Sequence, residues 1–249
     1  MQVLDDLRDA WRAALGDRLL GLYVHGSLVA GDFAPERSDL DLLAVLTAEP
    51  DAELLKLLAD RHAVLDRRHP EWAGRIEVEY VPAAALHGPD GHLIARISPG
   101  ETLHLLPATT HRRVTWGSVH DTGRALVGPP ARELLPAVGP ELVEAALLDH
   151  VRDWPAWVER MTAPGAQAYS VLTMCRAVQR LLHGRQLSKR RAADRTIETD
   201  PEWAGLIAWA RDWWYDRGAD TDPGRFAEVR AFVTDSSATI LRVCGQRIP

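Results

Sequence analysis

The run Tyr23-Val24-His25-Gly26-Ser27, followed by Ser38-Asp39-Leu40-Asp41, decides how the chain is read. Leu19-Leu20-Gly21-Leu22 leads into it as a buried strand, which the Gly-Ser pair ends in a turn. Glycine has no side chain to keep a phosphate away, so backbone N–H groups in such a turn can approach an anion. Asp39 and Asp41 open a second apolar strand, 39–46, and being two apart they leave it on one face. Two carboxylates so close repel each other unless a cation lies between them. Mg²⁺ suits that position, because it takes oxygen ligands and is usually held by one or two carboxylates with substrate phosphates.

Working outward, Arg75-Ile76-Glu77-Val78-Glu79-Tyr80-Val81 reads as a third strand closed by Pro82. Glu77 and Glu79 share one of its faces, while Ile76, Val78 and Tyr80 are placed to enter the core. If this strand neighbours the second, a further carboxylate joins the aspartates, able to hold metal or to deprotonate an attacking hydroxyl. An Asp-x-Asp or a Gly-Ser turn alone is ordinary. Strand, Gly-Ser, Asp39 twelve residues on, an apolar strand and then a strand carrying Glu77 form a far more specific series.

The flanks set the fold class. Val3, Leu4, Leu7, Trp11 and Leu15 recur at helical spacing with Gly16 as a stop, and 51–69 reads as a helix with Leu54, Leu55, Leu58 and Val64 on its apolar side. Signals weaken over 82–130, and Gly128-Pro129-Pro130 is strong punctuation. Beyond it the pattern is helical at roughly 141–162, 166–184, 188–198, 202–217 and 224–244. Asp200-Pro201 and Asp222-Pro223 each supply an N-cap followed by proline at the first helical position. The expected architecture is an α/β (α+β) domain with a mixed sheet over 1–138, then an all-α bundle over 139–249.

Composition narrows the class of function. The 249 residues are 46% hydrophobic and 26% charged, which excludes wholesale disorder. The formal net charge of -6 argues against a general nucleic-acid binder. Only Lys56 and Lys189 among the 29 cations are lysines, and asparagine is absent, the pattern of a GC-rich coding sequence. A lysine that survives such pressure invites inspection. Cys175 and Cys244 have neither a disulfide framework nor metal spacing, and Cys175 reads as a buried thiol. The ten histidines carry no zinc-ligand pattern. With no apolar run long enough for a membrane span and an acidic, amphipathic start unlike a signal peptide, the chain is expected to be cytoplasmic and a monomer.

These residues resemble the DNA polymerase β-like nucleotidyltransferases, and specifically the aminoglycoside 3''- and 9-adenylyltransferases. The likeness extends to RIEVEYVPAAAL (75–86), similar to the family's third-carboxylate strand, and to LTMCRAVQRLLHGRQLSKRRAAD (172–194), similar to its helical nucleotide segment. The resemblance implies that Asp39, Asp41 and Glu77 serve as metal ligands, two Mg²⁺ ions being expected. It makes Glu77 the catalytic base, preferred to Glu79 by its spacing to Leu86. Gly26, Ser27 and Ser38 would touch the triphosphate of ATP, and Arg176, Lys189 and Tyr215 would reach the nucleotide.

Charge pattern supports the last set independently. Arg176, Arg180, His183, Arg185, Lys189, Arg190 and Arg191 crowd 171–193 with no acid among them. Ser188 is a plausible N-cap, placing Lys189 at a helix start, where the helix dipole favours an anion. A cation there is unfavourable unless something negative binds nearby.

For the acceptor the likeness thins. Candidate contacts are Glu101, Trp116, Asp153, Trp157 and Gln167, with Glu141, Glu144, Asp149 and Trp154 on the same helix as Asp153. Gly100-Glu101-Thr102 stands where the family often has Gly-Glu-Trp, and Trp116 is considered as the replacement indole. Gln167 stands where the family has an acid. The expected reaction is Mg²⁺-dependent transfer of AMP from ATP to a hydroxyl of an aminoglycoside or aminocyclitol, such as streptomycin or spectinomycin, with release of pyrophosphate. The alternatives are AMP transfer to another small molecule, a protein or tRNA, and a non-catalytic nucleotide-binding regulator.

Overall fold

The apolar runs at 19–25, 40–46 and 76–82 become neighbouring strands at the centre of one sheet. The structure, a computed structural model, describes residues 2–216, 218, 222 and 224–246. Its contacts divide the chain into two units, Met1–Gly139 and Pro140–Pro249. The first contains α1 (Gln2–Leu15), β1 (Leu19–His25), β2 (Leu40–Leu46), α2 (Ala52–Arg68) and β3 (Ile76–Pro82). It continues through α3 (Ala83–His87), β4 (Leu93–Ile97), β5 (His104–Pro107), α4 (Arg112–Thr122), β6 (Arg124–Val127) and α5 (Ala131–Leu134).

The strand order is β5-β4-β3-β2-β1-β6, with β2 and β3 parallel and every other neighbouring pair antiparallel. Both faces are covered, which explains why the central strands read as continuous apolar runs. Leu22, Val24, Leu42, Ala44, Val78 and Tyr80 enter a core with Leu4, Leu7 and Trp11 of α1 and Leu54, Leu58 and Leu65 of α2. Tyr23, Leu43, Val45 and Val81 enter a second core with Trp116 and Val119 of α4. Period-two alternation accounts for the division. Val64, expected on the apolar side of α2, is 45% exposed; the buried stripe runs through Leu54, Leu58 and Leu65 instead.

In the first core Trp11 Nε1 donates to the Tyr80 hydroxyl at 2.8 Å, and the same hydroxyl lies 2.8 Å from His62 Nε2. An indole N–H can only donate, so the tyrosine proton is available to a neutral His62. Burial agrees, lowering the His62 pKa to about 4. Tyr23 Oη donates to Pro129 O at 3.0 Å, fastening the Gly-Pro-Pro punctuation to β1.

The second unit contains α6 (Pro140–Val158), α7 (Pro164–Leu181), α8 (Lys189–Thr199), α9 (Ala204–Tyr215) and α10 (Arg225–Gly245). Val151, Val171, Leu172, Cys175, Ala192, Ala193, Ile207, Phe232 and Val233 form its core. Both cysteines are free and buried, and burial pushes the Cys175 thiol up to about 12. Asp51 caps α2 through Leu54 N at 2.7 Å, and Ser188 caps α8 by accepting from Arg191 N. Asp200 makes no side-chain cap; Pro201–Trp203 forms a short 3₁₀ turn before α9. Asp222 Oδ1 accepts from Gly224 N at 2.8 Å, while Pro223, the second half of that expected cap, lies outside the described residues. The mixed sheet followed by a helical bundle is the fold class read from the sequence. No helix among the described residues is long and apolar enough to cross a membrane.

Candidate active site

Four polar side chains interrupt the apolar alternation on one face of the central strands: His25, Asp41, Glu77 and Glu79. Asp41 pairs with His25 on one side and with Glu77 on the other, so strand register sets the three in a row. Asp39, two residues earlier, lies just before β2. Its Oδ1 is 4.0 Å from Arg75 Nε. Arg75 is itself fixed, donating to the backbone oxygens of Pro35 and Ser38 and lying 4.8 Å over the Trp72 ring.

The turn after β1 follows from a steric requirement. Gly26 has φ +68, and a Cβ there would lie 1.9 Å from Asp41 Oδ2. Left-handed backbone favours glycine, and any side chain there would have to displace the Asp41 carboxylate. Ala30 N donates to Gly26 O and Asp32 N to Ser27 O, both at 3.1 Å, so the turn coils back on itself. Ser38 is buried and closes the loop: its Oγ accepts from Ala34 N at 3.0 Å, and its own N–H donates to Ala34 O at 2.8 Å. Its hydroxyl accepts this one bond within the loop and retains its own proton.

The two glutamates of β3 have different surroundings. Glu79 is 8% exposed and has both oxygens engaged, Oε2 by Trp116 Nε1 at 2.7 Å and Oε1 by Arg112. Glu77 is half-buried and receives Arg96 on one oxygen only, from Nε at 3.2 Å and from Nη2 at 2.9 Å. Arg96 comes from β4, whose antiparallel pairing places it opposite Glu79. Burial works against its charge, but Glu77, Glu79 and Glu101 outweigh this and raise its pKa. A carboxylate held through one oxygen keeps the other for a proton; one held through both does not. Glu77 is thus left with an oxygen to offer, whereas Glu79 has both engaged.

Asp39 and Asp41 supply hard oxygen donors beside the Gly26 turn, a donor set that fits Mg²⁺. Glu77, the expected third ligand, has one oxygen on Arg96 and keeps its other to offer. Among the described residues no three His, Cys, Asp or Glu side chains group as a metal site. Two aspartates with phosphate oxygens still make a usual Mg²⁺ environment.

Within the second unit, Lys189 Nζ lies 4.5 Å from the Tyr169 ring and 4.6 Å from the Trp214 ring. Arg190 lies 4.2 Å over Tyr215, so one face of the ring expected to pack on a nucleotide meets a guanidinium. Arg176 is exposed on α7. Of the acceptor candidates, Trp116 is 1% exposed and spends its N–H on Glu79, so it is no pocket wall. Gln167 is buried and donates to Thr162 O at 2.7 Å, tying down the start of α7. Both readings as acceptor contacts are corrected. Glu101, Asp153, Glu141 and Glu144 are exposed, and Asp149 pairs with Arg152. Trp157 is 40% exposed and packs against His150 and Trp154 at 5.2 and 5.5 Å.

Sequence reasoning missed Arg96, Arg75, Tyr169 and Trp214. Only the charge of Arg96 between apolar neighbours in Leu93-Ile94-Ala95-Arg96-Ile97 offered a signal.

Residues 133–239 match the family model described as aminoglycoside adenylyltransferase, C-terminal domain. The chain is similar in structure to the spectinomycin adenyltransferase AAD(9) from Enterococcus faecialis, solved with ATP and spectinomycin. The TM-score is 0.79 and the identity 17%, over 96% of this chain and 98% of that one. A search of curated protein sequences finds no match.

Proposed function

We propose that this aminoglycoside adenylyltransferase-like chain, a nucleotidyltransferase by its fold and its C-terminal domain, moves AMP from ATP to a hydroxyl of a small polar acceptor. One observation carries the reading: register places Asp41 between His25 and Glu77, against a turn whose Gly26 leaves room for its carboxylate. Binding alone needs no base, whereas this row includes a carboxylate anchored through one oxygen.

The acceptor hydroxyl loses its proton to Glu77, and its oxygen bonds to the α-phosphorus as the bond to the β-phosphate oxygen breaks, releasing pyrophosphate. Arg96 keeps the Glu77 carboxylate oriented while the proton moves. The turn at Gly26 and Ser27 lets phosphate oxygens approach the backbone. Asp39 and Asp41 would hold Mg²⁺, which when bound neutralises triphosphate charge. Positioning and charge neutralisation supply most of the rate in such reactions. Lys189 and Arg176 supply cations for the nucleotide from the second unit, and ATP is the expected donor.

An aminocyclitol or aminoglycoside is the leading acceptor. A second reading, AMP transfer to a different small molecule, is favoured by one feature: Trp116 and Gln167 are both committed inside the protein. Pyrophosphate release from ATP and Mg²⁺ across an aminoglycoside panel, with Asp41→Asn as control, tests the choice. Turnover with streptomycin or spectinomycin supports the first reading. Tight ATP binding without turnover on any member of the panel supports the second.

A further inference from the structure

We propose that Tyr169 and Trp214 are positioning residues, an aromatic clamp that holds the Lys189 ammonium at the point where it meets the nucleotide. The inference rests on the reading of Lys189 as a phosphate contact.

Lys189 is the first residue of α8, behind the Ser188 cap. The N–H groups and dipole of that helix end repel a cation, and lysine's flexible four-carbon stem leaves its charge free to swing into water. Two ring faces offset both effects. Nζ lies 4.5 Å from the Tyr169 centroid and 4.6 Å from that of Trp214, within the range where a ring quadrupole attracts an ammonium. The clamp joins three elements, since Tyr169 belongs to α7, Lys189 to α8 and Trp214 to α9.

Neighbouring rings fix its walls. Tyr169 pairs with Trp154 and with Trp214, each at 6.1 Å, and Trp214 pairs with Trp213 at 6.2 Å. The next residue along each helix repeats the device, with Arg190 over Tyr215 at 4.2 Å. Two consecutive cations opening α8 thus lie on two consecutive aromatics closing α9. Tyr169 is 37% exposed, so the clamp is accessible from solvent. A compact ammonium fits between two faces, whereas a planar guanidinium stacks on one. That difference gives a reason for lysine at 189 in a chain that otherwise uses arginine almost throughout.

The scarcity of lysine also supplies the test. Reductive methylation with ¹³C-formaldehyde labels only Lys56, Lys189 and the α-amino group, and dimethylation preserves the charge. Lys56 is exposed beside Asp60 and serves as the reference. The expected result is a Lys189 methyl proton signal upfield of Lys56 through the ring currents. Tyr169→Leu and Trp214→Leu should abolish that displacement, while Tyr169→Phe and Trp214→Phe should keep it. In the unlabelled protein, the leucine variants should raise the Kd for ATP about tenfold, and the phenylalanine variants should restore it. Thermal unfolding of each variant separates this effect from loss of fold.

Coincident Lys56 and Lys189 signals in the wild-type protein would overturn the clamp. A displaced signal with unchanged ATP affinity in folded leucine variants would overturn the positioning role. If saturating ATP leaves the Lys189 signal unmoved and Lys189→Ala binds ATP normally, the phosphate contact itself fails and the positioning role falls with it. The upfield displacement would still stand in that case, which separates the two failures.

Discussion

A Cβ on Gly26 would stand 1.9 Å from Asp41 Oδ2, so the turn after β1 and the central carboxylate of β2 leave no room for a side chain unless one of them moves. Gly26→Ala must therefore rotate the Asp41 carboxylate or open the turn, besides forcing a φ of +68 on alanine. The expected loss of stability is about 1–3 kcal/mol, with ATP binding and turnover lost at least about tenfold. Gly31→Ala is the control, because Gly31 has the same φ and nothing within 4 Å of its added Cβ. Denaturant unfolding and ATP titration of both variants isolate the Asp41 contact from backbone strain. Equal functional losses would remove it from the account.

Glu77 and Glu79 should separate by substitution. Glu77→Gln loses a half-buried contact to Arg96 and should leave stability within about 1 kcal/mol while abolishing turnover. Glu79→Gln leaves Arg112 without its carboxylate beside the buried Trp116 N–H and should cost about 2 kcal/mol of stability. Unfolding midpoints set beside turnover with a working acceptor check both. If Glu79→Gln removes turnover and Glu77→Gln does not, the assignment is reversed.

The buried chain from Trp11 through Tyr80 to His62 ties stability to pH. The His62 pKa in the folded state, lowered to about 4 by burial, lies below its ordinary 6.5. The unfolded chain therefore takes up a proton between these values that the folded chain does not. The contribution is full above about 6.5 and is lost as the pH falls toward 4. It amounts to about 3 kcal/mol. His25, lowered to about 4 by burial as well, adds a slope of the same sign. His62→Gln should flatten the dependence in part, as read by urea unfolding across pH 4 to 7. An unchanged slope in that variant would show His62 to be protonated in the native chain.

Lys189→Ala should weaken ATP binding severalfold, whereas Lys56→Ala should leave it unchanged. Lys56 pairs with Asp60 on the exposed side of α2. Titration calorimetry on both variants tests the contrast.

The central strands were legible because both their faces are buried, which makes each a continuous apolar run and its polar exceptions conspicuous. His25, Asp41, Glu77 and Glu79 stand out for that reason, and caps such as Asp51 and Ser188 announced their helices. The segment after Pro82 was obscure because β4, β5 and β6 are only five, four and four residues long, with exposed residues in each. Strands so short owe their place to pairing rather than to periodicity. Pairing is also what hid Arg96, since only the antiparallel return of β4 brings it to Glu77. Trp116 misled for a related reason. Its indole looked like a pocket wall along the chain, but α4 turns it inward as a donor to Glu79. Lys189 was conspicuous by rarity, while its two rings lie 20 residues before it and 25 after it in the chain.

Adenylyl transfer with Glu77 as base fixes which phosphorus of ATP must reach the acceptor. The most direct measurement follows the label from ATP carrying radioactive phosphorus at the α position, and separately at the γ position, into an acceptor from the aminoglycoside panel. In the wild-type protein α-label should enter the acceptor and γ-label should leave in pyrophosphate, and Glu77→Gln should transfer neither. Transfer of γ-label to the acceptor, or undiminished α-label transfer by Glu77→Gln, would contradict that mechanism.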